Sequence, residues 1–97
     1  MNVQIQSVNF DADKKLLEFI EKKVSKLDKF FDAIIGAEVF LKVENSQNEN
    51  KKVEIRLEIP GYDLFAERIC KTFEEAVDQA TEALKPQIQK TKEKMRE

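Results

Sequence analysis

The residues with the clearest chemical potential in this sequence are lysines spaced to share one face of a helix. When the segment is projected at about 100° per residue, four of them fall within roughly 60° of one another, and they are Lys15, Lys22, Lys26 and Lys29. The apolar residues of the segment fall on the opposite side, so packing does not explain these lysines. Ammonium groups clustered in this way can bind phosphate oxygens. Lysines on a solvated helix face give the same pattern, and both interpretations stay open.

Charge is distributed unevenly along the chain, which has 17 basic and 19 acidic residues and a net charge of −2. Residues 1–35 have no net charge, residues 36–84 have −5, and residues 85–97 have +3. The balance excludes a protein that binds nucleic acid through overall basicity. Any phosphate-binding surface must be local, because screening limits attraction between exposed charges to about 8–10 Å.

The composition also excludes several kinds of chemistry. The chain has no His and one Cys, Cys70, which removes His-based acid–base catalysis, the usual zinc ligand sets and any intrachain disulfide. It has no Gly-rich loop to bind a nucleotide phosphate. We therefore expect no enzyme activity, no metal, no cofactor and no small-molecule substrate, with Cys70 packed inside a strand.

The chain also lacks sequence signals for a membrane or for export. No apolar run approaches the roughly 20 residues of a membrane-spanning helix, and Met1–Phe10 lacks the features of a signal peptide. A lone cysteine suits a reducing compartment. We expect a cytoplasmic protein with no membrane partner.

Two kinds of periodicity predict strands and helices. Apolar and polar residues alternate where strands are buried on one face, which predicts strands at Val3–Phe10, 38–44, 53–59 and Tyr62–Lys71. Apolar residues recur every three or four positions in amphipathic helices, which predicts helices from Asp11 or Asp13 to about Phe31 and from Phe73 towards Met95. Thr72 and Glu75 form a capping-box pattern before the second helix.

The order β-α-β-β-β-α predicts an α+β two-layer sandwich. Two amphipathic helices can cover one face of a four-stranded mixed sheet, with the first two strands parallel and the others joined as hairpins. We expect one domain over residues 1–97, with a basic helical tail at 85–97. The open sheet face should be largely acidic, with Glu38, Glu44, Glu54 and Glu58.

Two residues depart from these patterns. Pro86 removes a hydrogen bond inside the second helix and is expected to kink or break it, at a cost of about 3 kcal/mol if nothing compensates. Phe40 falls on the open sheet face between Glu38 and Lys42. It either stacks on a nucleic-acid base or covers a neighbouring strand.

Three segments resemble one protein family. Phe19–Ile34 has an apolar residue, then lysines, then Lys-Leu, then an aromatic pair; Val39–Glu44 matches a second strand, and Gln87–Arg96 matches a basic closing helix. This arrangement resembles the short form of the ribosome hibernation-promoting factors, or ribosome-associated inhibitors, over essentially the whole chain. The resemblance implies binding of the small ribosomal subunit and the intact ribosome. It further implies that the bound protein occupies the channel for messenger and transfer RNA and so blocks translation in ribosomes that are idle under starvation.

The resemblance also implies contacts with ribosomal RNA. It carries basic positions onto Lys23 and Lys26 of the first helix, and onto Lys90, Lys92, Lys94 and Arg96 of the last. Lys22 and Lys29 join them on helical geometry, and Lys42 lies in a matching strand. We expect a monomer when free, without the C-terminal dimerisation domain of the long form.

Two other functions fit the sequence. One is a general double-stranded RNA-binding module of similar α+β shape. The other is a protein–protein adaptor that uses the acidic sheet face or the sheet edge.

Overall fold

The computed structural model describes residues 1–45 and 48–95. Its elements are β1 (Asn2–Val8), α1 (Lys14–Ser25), a short 3₁₀ helix η1 (Lys26–Lys29), β2 (Gly36–Val43), β3 (Lys51–Ile59), β4 (Tyr62–Cys70) and α2 (Phe73–Met95). The order β-α-β-β-β-α is confirmed. No helix in the described ranges is long and apolar enough to span a membrane.

The four strands form one mixed sheet in the order β1-β2-β3-β4. β1 pairs with β2 in parallel, and the β2–β3 and β3–β4 pairs are antiparallel, as predicted. Gly61 has a φ of 96° in the turn between β3 and β4, a conformation that glycine adopts without strain.

Both helices begin at the predicted caps. The Asp13 carboxylate accepts a hydrogen bond from the Leu16 N–H at 2.8 Å, and the Thr72 hydroxyl accepts one from the Glu75 N–H at 3.1 Å. Each cap satisfies a backbone donor that has no partner within the helix. The first helix does not stay α-helical to Phe31, because its last turn tightens into η1, as is common at helix ends.

The core lies between one face of the sheet and the two helices. The alternate strand residues that face the helices are fully or almost fully buried, and they include Val39, Leu41, Val53, Ile55 and Leu57. The helical residues that cover them include Ile20, Val24, Leu27, Val77, Leu84 and Ile88. Since α1 runs back from β1 and α2 runs back from β4, the two helices lie side by side and point the same way.

Pro86 does not break α2, which excludes one of the two effects expected of it. The helix continues from Phe73 to Met95. Pro86 itself is exposed, while Leu84 and Ile88 on either side of it are buried against the sheet. Burying each such side chain contributes about 1.5–3 kcal/mol, which together offsets the roughly 3 kcal/mol cost of the proline.

Replacing Pro86 with alanine is therefore expected to stabilise the fold by about 1–3 kcal/mol, because it restores a donor to the Glu82 carbonyl and removes a ring clash. Urea denaturation followed by circular dichroism measures the change. Gln89→Ala, at another exposed position of α2, serves as the control and should change little. A Pro86→Ala variant that unfolds at the same or lower urea concentration would contradict this account.

Candidate nucleic-acid interface

Lys15, Lys22, Lys26 and Lys29, the four lysines of the predicted face, are all exposed on the helical layer. Lys15 lies near the start of α1, about two turns before Lys22, and the other three form a ridge at spacings of three and four residues. Lys22 lies on α1, and Lys26 and Lys29 lie on η1. All three are exposed, and none forms an ion pair with another described residue. We call Lys22, Lys26 and Lys29 the lysine ridge; their ammonium groups are free to meet a phosphate.

Lys23, unlike the members of the lysine ridge, is paired with a carboxylate on α2. Its ammonium group lies 3.0 Å from a carboxylate oxygen of Asp78 on α2, and 5.8 Å from the centre of the Phe19 ring. This ion pair joins the two helices. Lys23 is therefore engaged with α2 and is less available than the lysine ridge to bind a phosphate.

A cleft of about 390 Å³ lies between η1 and α2 at the end of the lysine ridge. Its lining residues are Lys23, Lys26, Leu27, Lys29, Phe30, Asp78, Thr81, Glu82 and Lys85. Lys85 was not among the predicted binding residues, yet its ammonium group lies 5.0 Å from the centre of the Phe30 ring and 2.8 Å from a Glu82 oxygen. We call this group of residues the interhelical cleft.

Spacing in the sequence relates Lys85 to Asp78, but only the structure shows that this flank of α2 faces α1. Lys85 lies seven residues after Asp78, and residues seven apart share a helix face. Since Asp78 reaches α1 through Lys23, Lys85 lies on the same flank of α2. Lys92, a further seven residues on, falls on that flank too.

The lysines of the predicted basic tail do not form one cluster. Lys90 and Lys94 line a shallow cleft of about 200 Å³ beside β4, with Tyr62, Leu64, Gln87 and Thr91. Residues two apart on a helix differ in direction by about 200°, so Lys92 lies on the other flank from Lys90 and Lys94. Arg96 lies outside the described residues, and its role stays a prediction.

Hydrogen bonds hold this end of α2 against the edge of the sheet. The Tyr62 and Thr91 hydroxyls are 3.0 Å apart, and the Gln87 amide bonds both the N–H and the carbonyl of Phe65 on β4. Gln87 thus occupies backbone groups that an edge strand would otherwise expose. Lys90 and Lys94 therefore lie on a part of the helix that is attached to the sheet edge.

Lys42 lies on the other side of the molecule from the lysine ridge. It faces away from the helices, and its ammonium group is 2.8 Å from a Glu54 oxygen on the neighbouring strand. A strand alternates its side chains between two faces, and the neighbouring residue Leu41 is buried beneath the helices. Lys42 therefore cannot join the lysine ridge in one contact.

The open sheet face is acidic but contains many ion pairs. Its carboxylates outnumber its basic groups, with Glu38, Glu44, Glu54, Glu58, Asp63 and Glu67 against Lys42, Lys52 and Arg56. Lys52 bonds Glu67 at 3.0 Å and Glu44 at 3.1 Å, and these hydrogen bonds raise its pKa. Phosphate binding is disfavoured on this face.

Two phenylalanines occupy the middle of the open sheet face. Phe40 is half-buried and shares a cleft with Phe65, which is exposed, and with Arg56. This placement favours the interpretation that Phe40 covers neighbouring strands. Its acidic surroundings are unsuited to a nucleic-acid base with its phosphates.

Cys70 is buried at the end of β4, as predicted. Burial raises the pKa of its thiol, which keeps the sulfur protonated and poorly nucleophilic at neutral pH. Its position fits a packing role.

Known proteins are similar to this chain in both sequence and fold. Residues 3–96 match the model of the family described as Sigma 54 modulation protein / S30EA ribosomal protein. A Deinococcus radiodurans protein named ribosome hibernation promotion factor is 32% identical over 91 residues, covering 92% of this chain. The chain spans about half of that relative's length (48%).

A shorter relative and a solved structure cover more of their own length. The Pseudomonas putida ribosome hibernation promoting factor is 31% identical over 97% of this chain and 89% of the relative. A Coxiella burnetii structure, titled a ribosomal subunit interface protein, superimposes with a TM-score of 0.84. The two chains are 23% identical, and the superposition covers 95% of this chain and 98% of the Coxiella chain, which supports the fold. With a family match from residue 3 to residue 96 on the observed β-α-β-β-β-α sandwich, this chain belongs to the Sigma 54 modulation protein / S30EA ribosomal protein family.

Proposed function

We propose that this chain is a ribosome hibernation factor that binds the small ribosomal subunit. The observation that carries this proposal is the separation of charge between the two layers. Lys22, Lys26 and Lys29 are unpaired among the described residues on the helical side, while carboxylates dominate the open sheet face. The names of relatives from two organisms support the ribosome as the partner.

The proposed mechanism is steric. The lysine ridge binds phosphates of folded ribosomal RNA and recognises the shape of the backbone rather than a base sequence. The bound domain occupies the channel for messenger and transfer RNA, and translation stops without any covalent chemistry. In this proposal residues 1–97 act as one non-enzymatic domain in the cytoplasm, monomeric when free.

The remaining predicted lysines provide additional contacts in this proposal. Lys90 and Lys94 on one flank of α2, and Lys92 on the other, extend the contact beyond the lysine ridge. Lys42 lies on the opposite, acidic face, where phosphate binding is disfavoured, so its predicted contact with RNA would be a minor one. Removing it should affect binding least, because Glu54 already neutralises its charge.

Cosedimentation on sucrose gradients tests the proposal. We expect the protein to comigrate with purified small subunits and with intact ribosomes. Large subunits alone serve as the control and should leave the protein at the top. Protein that stays at the top with every particle contradicts the proposal.

Binding is also expected to weaken about 100-fold between 50 and 200 mM salt. Each bound phosphate releases counterions, and about four lysine–phosphate contacts give a slope of about −3 to −4 in log affinity against log salt. Titration of small subunits with fluorescently labelled protein at several salt concentrations measures that slope. An affinity that stays constant over this range would show that phosphate contacts do not dominate.

A second candidate function is a protein–protein adaptor that uses the open sheet face. The exposed side chains of Phe65 and Ile69 among carboxylates favour it. Partner binding without RNA, retained when Lys26 and Lys29 are reversed in charge, would support the adaptor. A general double-stranded RNA-binding module would instead bind a plain duplex as tightly as it binds ribosomal subunits.

A further inference from the structure

Phe30 is an exposed aromatic ring that lines the interhelical cleft. It has 44% of its surface exposed, although the next residue, Phe31, is buried in the core. Its neighbour in sequence is Lys29 of the lysine ridge, and the Lys85 ammonium group lies 5.0 Å from its ring centre. The ring therefore combines an accessible apolar surface with nearby positive charge.

The charges in the interhelical cleft leave two lysines free. Lys23 is paired with Asp78 and Lys85 with Glu82. Lys26 and Lys29 line the same cleft and have no ion pair with another described residue. An anionic group bound beside Phe30 would thus find two unpaired ammonium groups.

Single-stranded RNA presents this combination of a flat apolar base and flanking phosphates. Aromatic side chains in basic grooves stack on unpaired bases, and they tolerate any base because each has a π-face. The volume of about 390 Å³ falls within the range of about 300–1,000 Å³ that is typical of ligand sites. A duplex cannot use the ring, since its bases are already stacked and paired.

Phe65 provides a contrast within the same molecule. It has 45% of its surface exposed, almost the same as Phe30, but it lies on the acidic sheet face. Repulsion of phosphates there disfavours a nucleotide. Exposure alone therefore does not distinguish the two rings, whereas the surrounding charge does.

We propose that the interhelical cleft binds one unstacked RNA base on the Phe30 ring, with the adjoining phosphates on Lys26 and Lys29. The Lys85 ammonium group lies over the ring in the free protein and moves aside to admit the base. This inference rests on the proposed function, because it assigns a nucleotide contact within the surface proposed to bind ribosomal RNA. It adds recognition of a single-stranded nucleotide to a contact that otherwise senses only the backbone.

The test uses a short single-stranded RNA that carries one 2-aminopurine, whose fluorescence falls when it stacks on an aromatic ring. We expect quenching with the wild-type protein and weaker binding to the same RNA as a duplex. Phe30→Leu should remove the quenching and lower the affinity about fivefold or more. Phe30→Tyr should keep both, because it retains an aromatic ring.

The control is Phe65→Leu, which removes an equally exposed ring from the acidic face and should leave quenching and affinity unchanged. Circular dichroism establishes that each variant is folded. Wild-type affinity and quenching in a folded Phe30→Leu variant would overturn the inference, as would equal affinity for the duplex. Neither result changes the expectation that the protein cosediments with ribosomes. A wild-type protein that fails to cosediment would instead contradict the proposed function, whatever the outcome of the stacking test.

Discussion

Replacing Lys26 and Lys29 with glutamate is expected to weaken binding to the small ribosomal subunit by at least about 100-fold. Each charge-assisted hydrogen bond to a phosphate contributes about 1.5–3 kcal/mol, and the substitution removes two of them and adds repulsion. Both side chains are exposed, so the domain should stay folded. Titration of small subunits with labelled protein at low salt measures the loss.

A matched control separates local charge from net charge. Lys14→Glu with Lys71→Glu makes the same change in net charge at two exposed positions outside the lysine ridge. Each lies next to the start of a helix, where a carboxylate is favoured by the helix dipole. The control variant should bind within a few-fold of wild type. If the Lys26 and Lys29 double variant is folded and binds as tightly as this control, the lysine ridge is not the contact surface.

The sheet and its helices could be predicted because their periodicities are strong. A residue period of two in β2 and β3 identifies which side chains are buried. The cap signals mark where the helices begin, and the structure selects Asp13 over Asp11 for the first helix. Such signals depend on neighbours in sequence. The lysine ridge could be predicted for the same reason, since all its members lie within two turns of one segment.

The interhelical cleft could not be predicted in the same way, because it depends on contacts between distant residues. Lys23 looks equivalent to Lys22 in the sequence, and only the position of Asp78, 55 residues later, commits it to an ion pair. The split of Lys90 and Lys94 from Lys92 depends on which flank of α2 faces α1. Helical spacing alone gives the angle between them but not the surface that each one joins.

The effect of Pro86 could not be predicted from the sequence, because the local cost of a proline says nothing about the burial around it. A proline inside a helix is unfavourable in isolation. In this protein, Leu84 and Ile88 anchor the turns before and after it on the sheet. Tertiary packing thus decides the outcome, and it does so on the helix that carries Lys85 into the cleft.

The same packing predicts a large loss of stability from a single substitution. Leu84→Ala should lower the free energy of unfolding by about 2–5 kcal/mol, because Leu84 is fully buried and its removal leaves a cavity beneath α2. Urea denaturation measures the change. A small domain has a total stability of only about 5–15 kcal/mol, so this variant should unfold at a clearly lower urea concentration and temperature than wild type.

Ribosome binding should then fall only as far as the folded fraction falls. Leu84 contributes no charge to the surface, so at low temperature the variant should bind small subunits with wild-type affinity. Lys26→Glu with Lys29→Glu should show the opposite behaviour, with wild-type stability and weak binding at every temperature. If Leu84→Ala binds weakly while fully folded, the geometry of the interhelical cleft depends on this core residue directly. If it unfolds at the same urea concentration as wild type, Leu84 does not hold α2 on the sheet.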